Sequence, residues 1–398
     1  MNTLVTGMDE NRFVFHRPQL ALRIVDDLAG AGIGDYSSGL FLALHRRTGK
    51  STFLREDFIP AVENRGWLPV YVDLWADKTA DPAKRISQTI ARALQSYEGA
   101  ARSLLKAMAV EKVSILRTLN WDLSKQVLPS DATLADALML LHELSGKRIV
   151  LIIDEAQHAL TSEDGMNAMF ALKAARDELN QGKGKLGLNL VFTGSSRDKL
   201  GDLLHSRTQP FYGASITPFP PLGRDFAEEY TEFLNSRMAA TNQFNSDDVY
   251  EAFTLVGNRP ETLSKIIKEV AVDLGAASNM KELIRNGALN LQAGVREEYE
   301  SIFNMLTPIQ QSVMQVMAEY VDTGKPFPPF SKATISAVQA RMLAKHENAE
   351  TVTTTGIQNA LIALREQALI WKPGRGNYTL EDADMVEWLA GLKDEKKD

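Results

Sequence analysis

Two short runs carry residue types that could do chemistry together. The first is Arg46-Arg47-Thr48-Gly49-Lys50-Ser51-Thr52. A phosphate is held best by a loop whose backbone N–H groups converge on its oxygens and that opens directly into a helix. A lysine must then reach the terminal phosphates, and a hydroxyl must hold Mg²⁺. Gly49, Lys50 and Ser51 supply the end of that pattern, between an apolar strand and an amphipathic helix. Arg46 and Arg47 add positive charge beside it, and Thr48 and Thr52 complete the run. The full pattern asks for a glycine five residues before Gly49, where this chain has Leu44. Leucine adopts positive φ only at a cost. Either the loop enters by another path or its grip on a nucleotide weakens.

The second run is Ile149-Val150-Leu151-Ile152-Ile153-Asp154-Glu155, with Asp154 104 residues after Lys50. An apolar strand ending in two acids offers Asp154 to Mg²⁺ through its water shell and Glu155 to an attacking water. Leu188 to Phe192 leads into Thr193-Gly194-Ser195-Ser196-Arg197. That polar strand tip, expected between the other two strands, suits contact with a γ-phosphate or the water. Arg207 ahead of a fifth strand, and Arg259 in Gly257-Asn258-Arg259-Pro260, are the cations available to complete the site, in cis or from a neighbouring subunit.

These residues need a frame. The first two hundred residues alternate short apolar runs with amphipathic stretches, the signature of a parallel sheet flanked by helices. Strands are expected at Gly39–Leu44, Leu68–Leu74, Arg148–Ile153, Leu188–Phe192 and Ala214–Pro218. Such continuous apolar runs suit strands buried on both faces. Helices are expected at Thr52–Asn64, Pro82–Met108, Thr133–Ser145 and Met166–Asn180, with an inserted hairpin at Val113–Val127. The breaker cluster Pro218, Pro220 and Pro221 ends this part. A helical stretch follows from Asp225 to about Ala293, and a last segment starts near Arg296. In that segment Thr307 and Pro308 open a helix with Ile309, Val313, Val316, Met317 and Tyr320 on one face. Thr353-Thr354-Thr355 opens another, with Ile357, Ala360, Leu361, Leu364 and Ala368 on one stripe. A hairpin from Leu369 to Leu380 then turns at Pro373–Asn377. Helices followed by a Gly-rich hairpin predict a winged helix-turn-helix. The expected domains are thus 1–218, 219–295 and 296–398.

Composition narrows the classes. A chain of 398 residues, 44% hydrophobic and 24% charged, suits a globular protein of two or three domains. No apolar run approaches the roughly 20 residues of a membrane helix, and the N-terminus shows no basic-then-apolar signal. The chain has 0 cysteines, which excludes thiol catalysis and thiolate metal sites. The expected location is cytoplasmic. The 6 histidines are scattered, and none pairs at metal-ligand spacing. A net charge of −7 makes the whole chain no polyanion binder by bulk electrostatics.

Together the motifs resemble those of STAND/AAA+ P-loop ATPases of the archaeal-ATPase and origin-recognition-like kind. The resemblance covers nearly the whole chain. It runs from Phe15–Leu28 through Arg46–Ser51, Leu151–Gln157, Thr193–Ser196, Pro210–Gly213 and Gly257–Pro260 to the winged helix. It implies ATP and Mg²⁺ bound between a sheet domain and a helical lid, with Lys50, Ser51, Asp154 and Glu155 in the nucleotide site. It also implies a sensor role for Thr193 or Ser195 and a second sensor near Arg259. Leu44 departs from the family's pattern, and so does Ala214, where many relatives carry arginine. The implied activity is an ATP-driven conformational switch. The alternatives are a nucleotide-binding scaffold with little turnover, or a DNA-binding ATPase of initiator, loader or regulator type. From Arg296 to Asp398 there are 11 Lys/Arg against 15 Asp/Glu. Since phosphate neutralisation dominates non-specific DNA affinity, this balance favours a winged helix that packs on its own lid or on a protein partner. Homo-oligomers are compatible with the pattern.

Overall fold

The computed structural model describes residues 13–32, 34–43, 48–76, 80–97, 133–181, 187–239, 242–272, 280–322, 326–345, 350–374 and 377–392. Leu44, Arg46, Arg47, the expected hairpin at 113–127 and the tail 393–398 lie outside them. Five strands form one parallel sheet: β1 (Leu40–Ala43), β2 (Leu68–Asp73), β3 (Ile149–Asp154), β4 (Leu188–Gly194) and β5 (Ile216–Pro218), in the order β2-β3-β4-β1-β5. Between them run α1 (Pro18–Leu28), α2 (Lys50–Phe53), α3 (Ile59–Asn64), α4 (Pro82–Gln95), α5 (Leu134–Ser145), α6 (Glu163–Leu179) and the short α7 (Arg197–Gly201). Four helices follow: α8 (Arg224–Asn235), α9 (Ser246–Leu255), α10 (Pro260–Val272) and α11 (Met280–Asn304). The chain continues through α12 (Pro308–Asp322), α13 (Lys332–Lys345), α14 (Thr354–Glu366), the antiparallel pair β6 (Ile370–Gly374) and β7 (Asn377–Leu380), and α15 (Ala383–Gly391). This α/β class, a parallel sheet flanked by helices with a helical C-terminal part, is the one the sequence predicts.

Contacts divide the chain into two compact units. One comprises Met1–Pro18, Arg47–Asp57 and Pro220–Asn304; the other comprises Gln19–Arg46, Phe58–Phe219 and Met305–Asp398. In the second unit every residue of β1, β3 and β4 is buried. Phe41 of β1 stacks on Phe192 of β4 at 4.7 Å, and Phe211 covers both rings. Ile86, Leu138 and Leu172 bring α4, α5 and α6 onto the same core. Caps set the helix starts: Asp81 accepts the Lys84 N–H, and Thr133 and Asp136 form a reciprocal capping box. Ser162 accepts the Gly165 N–H, so α6 begins at Glu163, ahead of its apolar pattern.

In the first unit, Phe226, Phe253, Leu263 and Ile266 form the core of α8–α11. Phe13 and Phe15 pack edge-on against Phe226. The helical run starting at Lys50 contains a π turn, Leu54–Phe58, before α3 resumes. Pro60 explains it: with no N–H, it cannot bond to the Glu56 carbonyl, and the ladder slips by one residue.

The C-terminal module of the second unit buries Val313, Val316 and Met317 of α12 against Ile357, Leu361 and Leu364 of α14. Phe327 bridges antiparallel to Tyr378, extending the β6–β7 hairpin. Ala368, expected on the α14 stripe, lies beyond the helix at φ 55. There Leu369 N–H closes back on the Leu364 carbonyl and Ala368 N–H on that of Arg365. A glycine normally takes this left-handed closing position because it has no Cβ to clash. Ala368→Gly is therefore expected to raise stability by about 0.5–1 kcal/mol, read from the denaturant midpoint at unchanged slope.

Candidate functional site

The polar residues of the second unit meet at the carboxyl edge of the sheet, where open α/β sheets hold their ligands. Parallel register sets Ile153 beside Phe192, so the tips of β3 and β4 run on side by side. Asp154 is 1% exposed, and three donors converge on it. Thr193 Oγ1 and the Glu155 N–H donate to Oδ1, and Tyr71 Oη donates to Oδ2 at 2.8 Å. Burying a carboxylate without donors would cost several kcal/mol. These donors offset that cost and leave little of the carboxylate free for direct coordination.

Glu155 stands at φ 57, one of three non-glycine residues at positive φ among those described. A left-handed glutamate costs about 1–2 kcal/mol, and its side chain shows what holds it there. Oε2 accepts from Ser195 Oγ at 2.7 Å, from the Ser195 N–H at 3.3 Å and from Gln157 Nε2 at 2.5 Å. Gln157 also donates to Ser195 Oγ at 3.2 Å. The two acids are thus tied to the two hydroxyl residues of β4's tip, Asp154 to Thr193 and Glu155 to Ser195. Such a cluster can orient a water or a phosphate oxygen, and strained backbone of this kind gathers at functional sites.

Lys50, Ser51 and Thr52 belong to the first unit. Gly49 caps the helix at φ 86, a left-handed turn that needs glycine. Lys50 is buried, while Thr48, Ser51 and Thr52 are partly exposed. A Cβ on Gly49 would lie 3.6 Å from Leu222. Asn258, itself at φ 54, holds the Leu222 carbonyl at 2.7 Å. Gly49 and the turn carrying Arg259 therefore share a neighbour. His16 binds the buried Asp57 at 3.0 Å, tying the segment before α1 to the π turn Leu54–Phe58. Next to it Arg17 donates to the Pro220 carbonyl at 2.8 Å. Burial lowers Arg17's pKa, with Asp225 and Asp57 working against the shift. Arg207 is exposed on the loop before β5, and the structure brings it to none of these groups.

Three residues escaped sequence reasoning. Gln157 lies on the 3₁₀ turn Ala156–Thr161, where it reads as a helix start. Tyr71 carries a hydroxyl on an otherwise apolar strand, a signal that pointed to no particular partner. Asn258 was visible only as part of a Gly-Asn-Arg-Pro turn.

The fold is similar to that of two solved ATPase-type structures. No protein-family model matches the chain, and no curated protein matches it. Solved structures do. One is a Walker-type ATPase of Pyrococcus abyssi, with a TM-score of 0.51 and 17% identity over 94% of this chain and 95% of that one. Another is the Aeropyrum pernix ORC2 protein in its ADP form, with a TM-score of 0.56 and 15% identity over 98% of this chain and 97% of that one.

Gly194 lies where a Cβ would meet Gln157 Oε1 at 2.5 Å. Gly194→Ala is expected to push Gln157 off Glu155 and Ser195 and to cost about 1–3 kcal/mol. Adding Gln157→Ala should recover part of that loss. A double-mutant cycle on unfolding free energy reads the coupling, and strict additivity would contradict the contact.

Proposed function

We propose that the chain binds ATP and hydrolyses it with Mg²⁺, as a switch of the STAND/AAA+ type. The observation that carries this reading is the pairing of Asp154 with Thr193 and Glu155 with Ser195. It lies at the edge of a sheet whose neighbouring strand, β1, leads into Gly49-Lys50-Ser51. In this reading the Gly49 turn and Lys50 hold the β- and γ-phosphates, and Arg46 and Arg47 add charge beside them. Thr48 and Thr52 flank the grip, and Arg259 senses the γ-phosphate from the helical segment 219–295. Glu155 polarises the attacking water, and Ser195 and Gln157 fix the direction of its carboxylate. Thr193 does the same for Asp154.

The donors fit a metal of this kind. Ser51 would offer its hydroxyl and Asp154 would act through the metal's water shell, and among the described residues no group of three or more His, Cys, Asp or Glu forms a cage. Mg²⁺ binds that way, keeping its waters and leaning on phosphates. When bound, it neutralises charge on the phosphate oxygens.

The segment 296–398 is read as a winged helix-turn-helix that changes position with the nucleotide. A duplex-binding role is the weaker reading, since the candidate recognition helix offers Arg365, which already engages two carboxylates. No described helix is long and apolar enough to cross a membrane.

Hydrolysis tests the reading. Glu155→Gln should retain ATP binding and lower turnover by at least about a hundredfold, within the range general-base catalysis supplies. Phosphate release at the wild-type rate from Glu155→Gln would remove Glu155 from the mechanism.

A further inference from the structure

Directly beyond Ser195, in the same unit, the C-terminal module meets the sheet domain through a set of charges. Ser196 caps α7, accepting the Lys199 N–H. Asp198, in the first turn of α7, is buried, and both its oxygens accept from Arg365 Nε of α14 at 3.0 Å. The Lys372 N–H of β6 reaches the same carboxylate at 2.8 Å, and Arg365 Nη2 continues to Asp202 at 2.9 Å. On the other flank, the Arg197 N–H donates to Glu381 Oε1 at 2.9 Å, and the Arg197 guanidinium lies 5.7 Å from the Trp371 ring centre. The helix that carries the acids follows directly on Ser195, the residue that holds Glu155.

We infer that α7 is a latch: Asp198 and Asp202 hold Arg365 and the β6 backbone, locking the C-terminal module to the helix that positions Ser195, so that module release and the Ser195–Glu155 contact are coupled. A forked guanidinium on a buried carboxylate is geometrically strict. Removing Arg365 leaves the buried Asp198 without this counter-charge, whereas removing Asp198 leaves Arg365 with Asp202 alone. Because only two residues separate Ser195 from Asp198, a shift of Ser195 displaces the carboxylate that Arg365 and Lys372 share.

Glu381 makes the latch sensitive to protons. Burial pushes its pKa up to about 7, with Asp198 adding to the rise and Arg197 opposing it. Asp202, His205, Arg365 and Lys372 complete the charged surroundings. Burial raises the pKa of Asp202 in the same sense, whereas it lowers that of His205. An ionised Glu381 opposes docking. Its contribution is therefore fullest below the ordinary carboxylate range and is lost as pH rises toward about 7.

The test exploits a chain with 0 cysteines. Phe170→Cys on α6 and Ile362→Cys on α14, both at exposed positions, take spin labels, and the label separation reports docking. The expected result is one narrow distance in the otherwise wild-type protein. Arg365→Ala and Asp198→Asn should each broaden it, with at least a tenfold rise in the separated population. The charge-swapped Asp198→Arg/Arg365→Asp protein should recover the narrow distance, which separates loss of the latch from loss of folding. At pH 8 Glu381→Gln should favour docking by up to about a hundredfold, an advantage that shrinks by pH 5. Unchanged distances in Arg365→Ala and Asp198→Asn would overturn the latch. The link to Glu155 rests on the ATPase reading and has its own readout. Arg365→Ala should change ATP turnover at least threefold, and a broadened distance with unchanged turnover would overturn the coupling. A wild-type protein without turnover would count against the ATPase reading alone, with the distances still deciding the latch.

Discussion

Two acids at the end of one buried strand need donors, and the adjacent strand supplies them. Asp154 and Glu155 leave β3 beside Thr193 of β4 and Ser195 just past its end, and each carboxylate takes a hydroxyl from its neighbour. Much of the local structure follows from that pairing. Glu155 accepts a left-handed backbone so that its carboxylate turns back to Ser195. The 3₁₀ turn after it delivers Gln157 to the same oxygen. Gly194 must lack a side chain, because Gln157 occupies the space a methyl would take. Tyr71 closes the far side of Asp154 from β2. A parallel sheet permits this arrangement because its strands all end at one edge, where the backbone stops pairing and side chains converge.

The first unit solves a different problem, that of fixing a short glycine turn at a helix start. Gly49 takes the left-handed conformation, and Leu222 and Asn258 bring the Arg259 turn to share its surroundings. The aromatic packing of Phe13 and Phe15 on Phe226, together with the His16–Asp57 contact, anchors the segment before α1 to the same unit. In α7 the acid cluster and the C-terminal module meet, and a helix of five residues joins Ser195's strand to the partners of Arg365.

Much of this was legible beforehand, for identifiable reasons. Strands read as short apolar runs, unbroken in the fully buried β1, β3 and β4, so all five appeared within two residues of their observed limits. Capped helices were legible as well: Thr133 and Thr353 begin α5 and α14 as their types predict. Where a local effect interrupted a pattern, the sequence misled. Pro60 inserted a π turn into a helix read as continuous, and Ala368 fell past the end of a stripe whose spacing it fitted. The helices α1, α7, α13 and α15 were not read as helices. The burial pattern of α13 is sparse, α15 sits against the chain's charged end, and α7 is too short for a period to show. Of the acid–hydroxyl cluster, the acids and the hydroxyls were readable from type and position. Gln157, Tyr71 and the Asp198–Arg365 contact were not, because they depend on which side chains cross between elements.

The central proposal is that Gly49-Lys50-Ser51 holds ATP. Calorimetric titration of ATP with and without Mg²⁺, on the wild type and on Lys50→Ala, tests it most directly. The account predicts saturable, Mg²⁺-strengthened binding to the wild type, and at least a tenfold loss of affinity in a Lys50→Ala protein of unchanged stability. Equal binding by the two proteins, or none by the wild type, would contradict it.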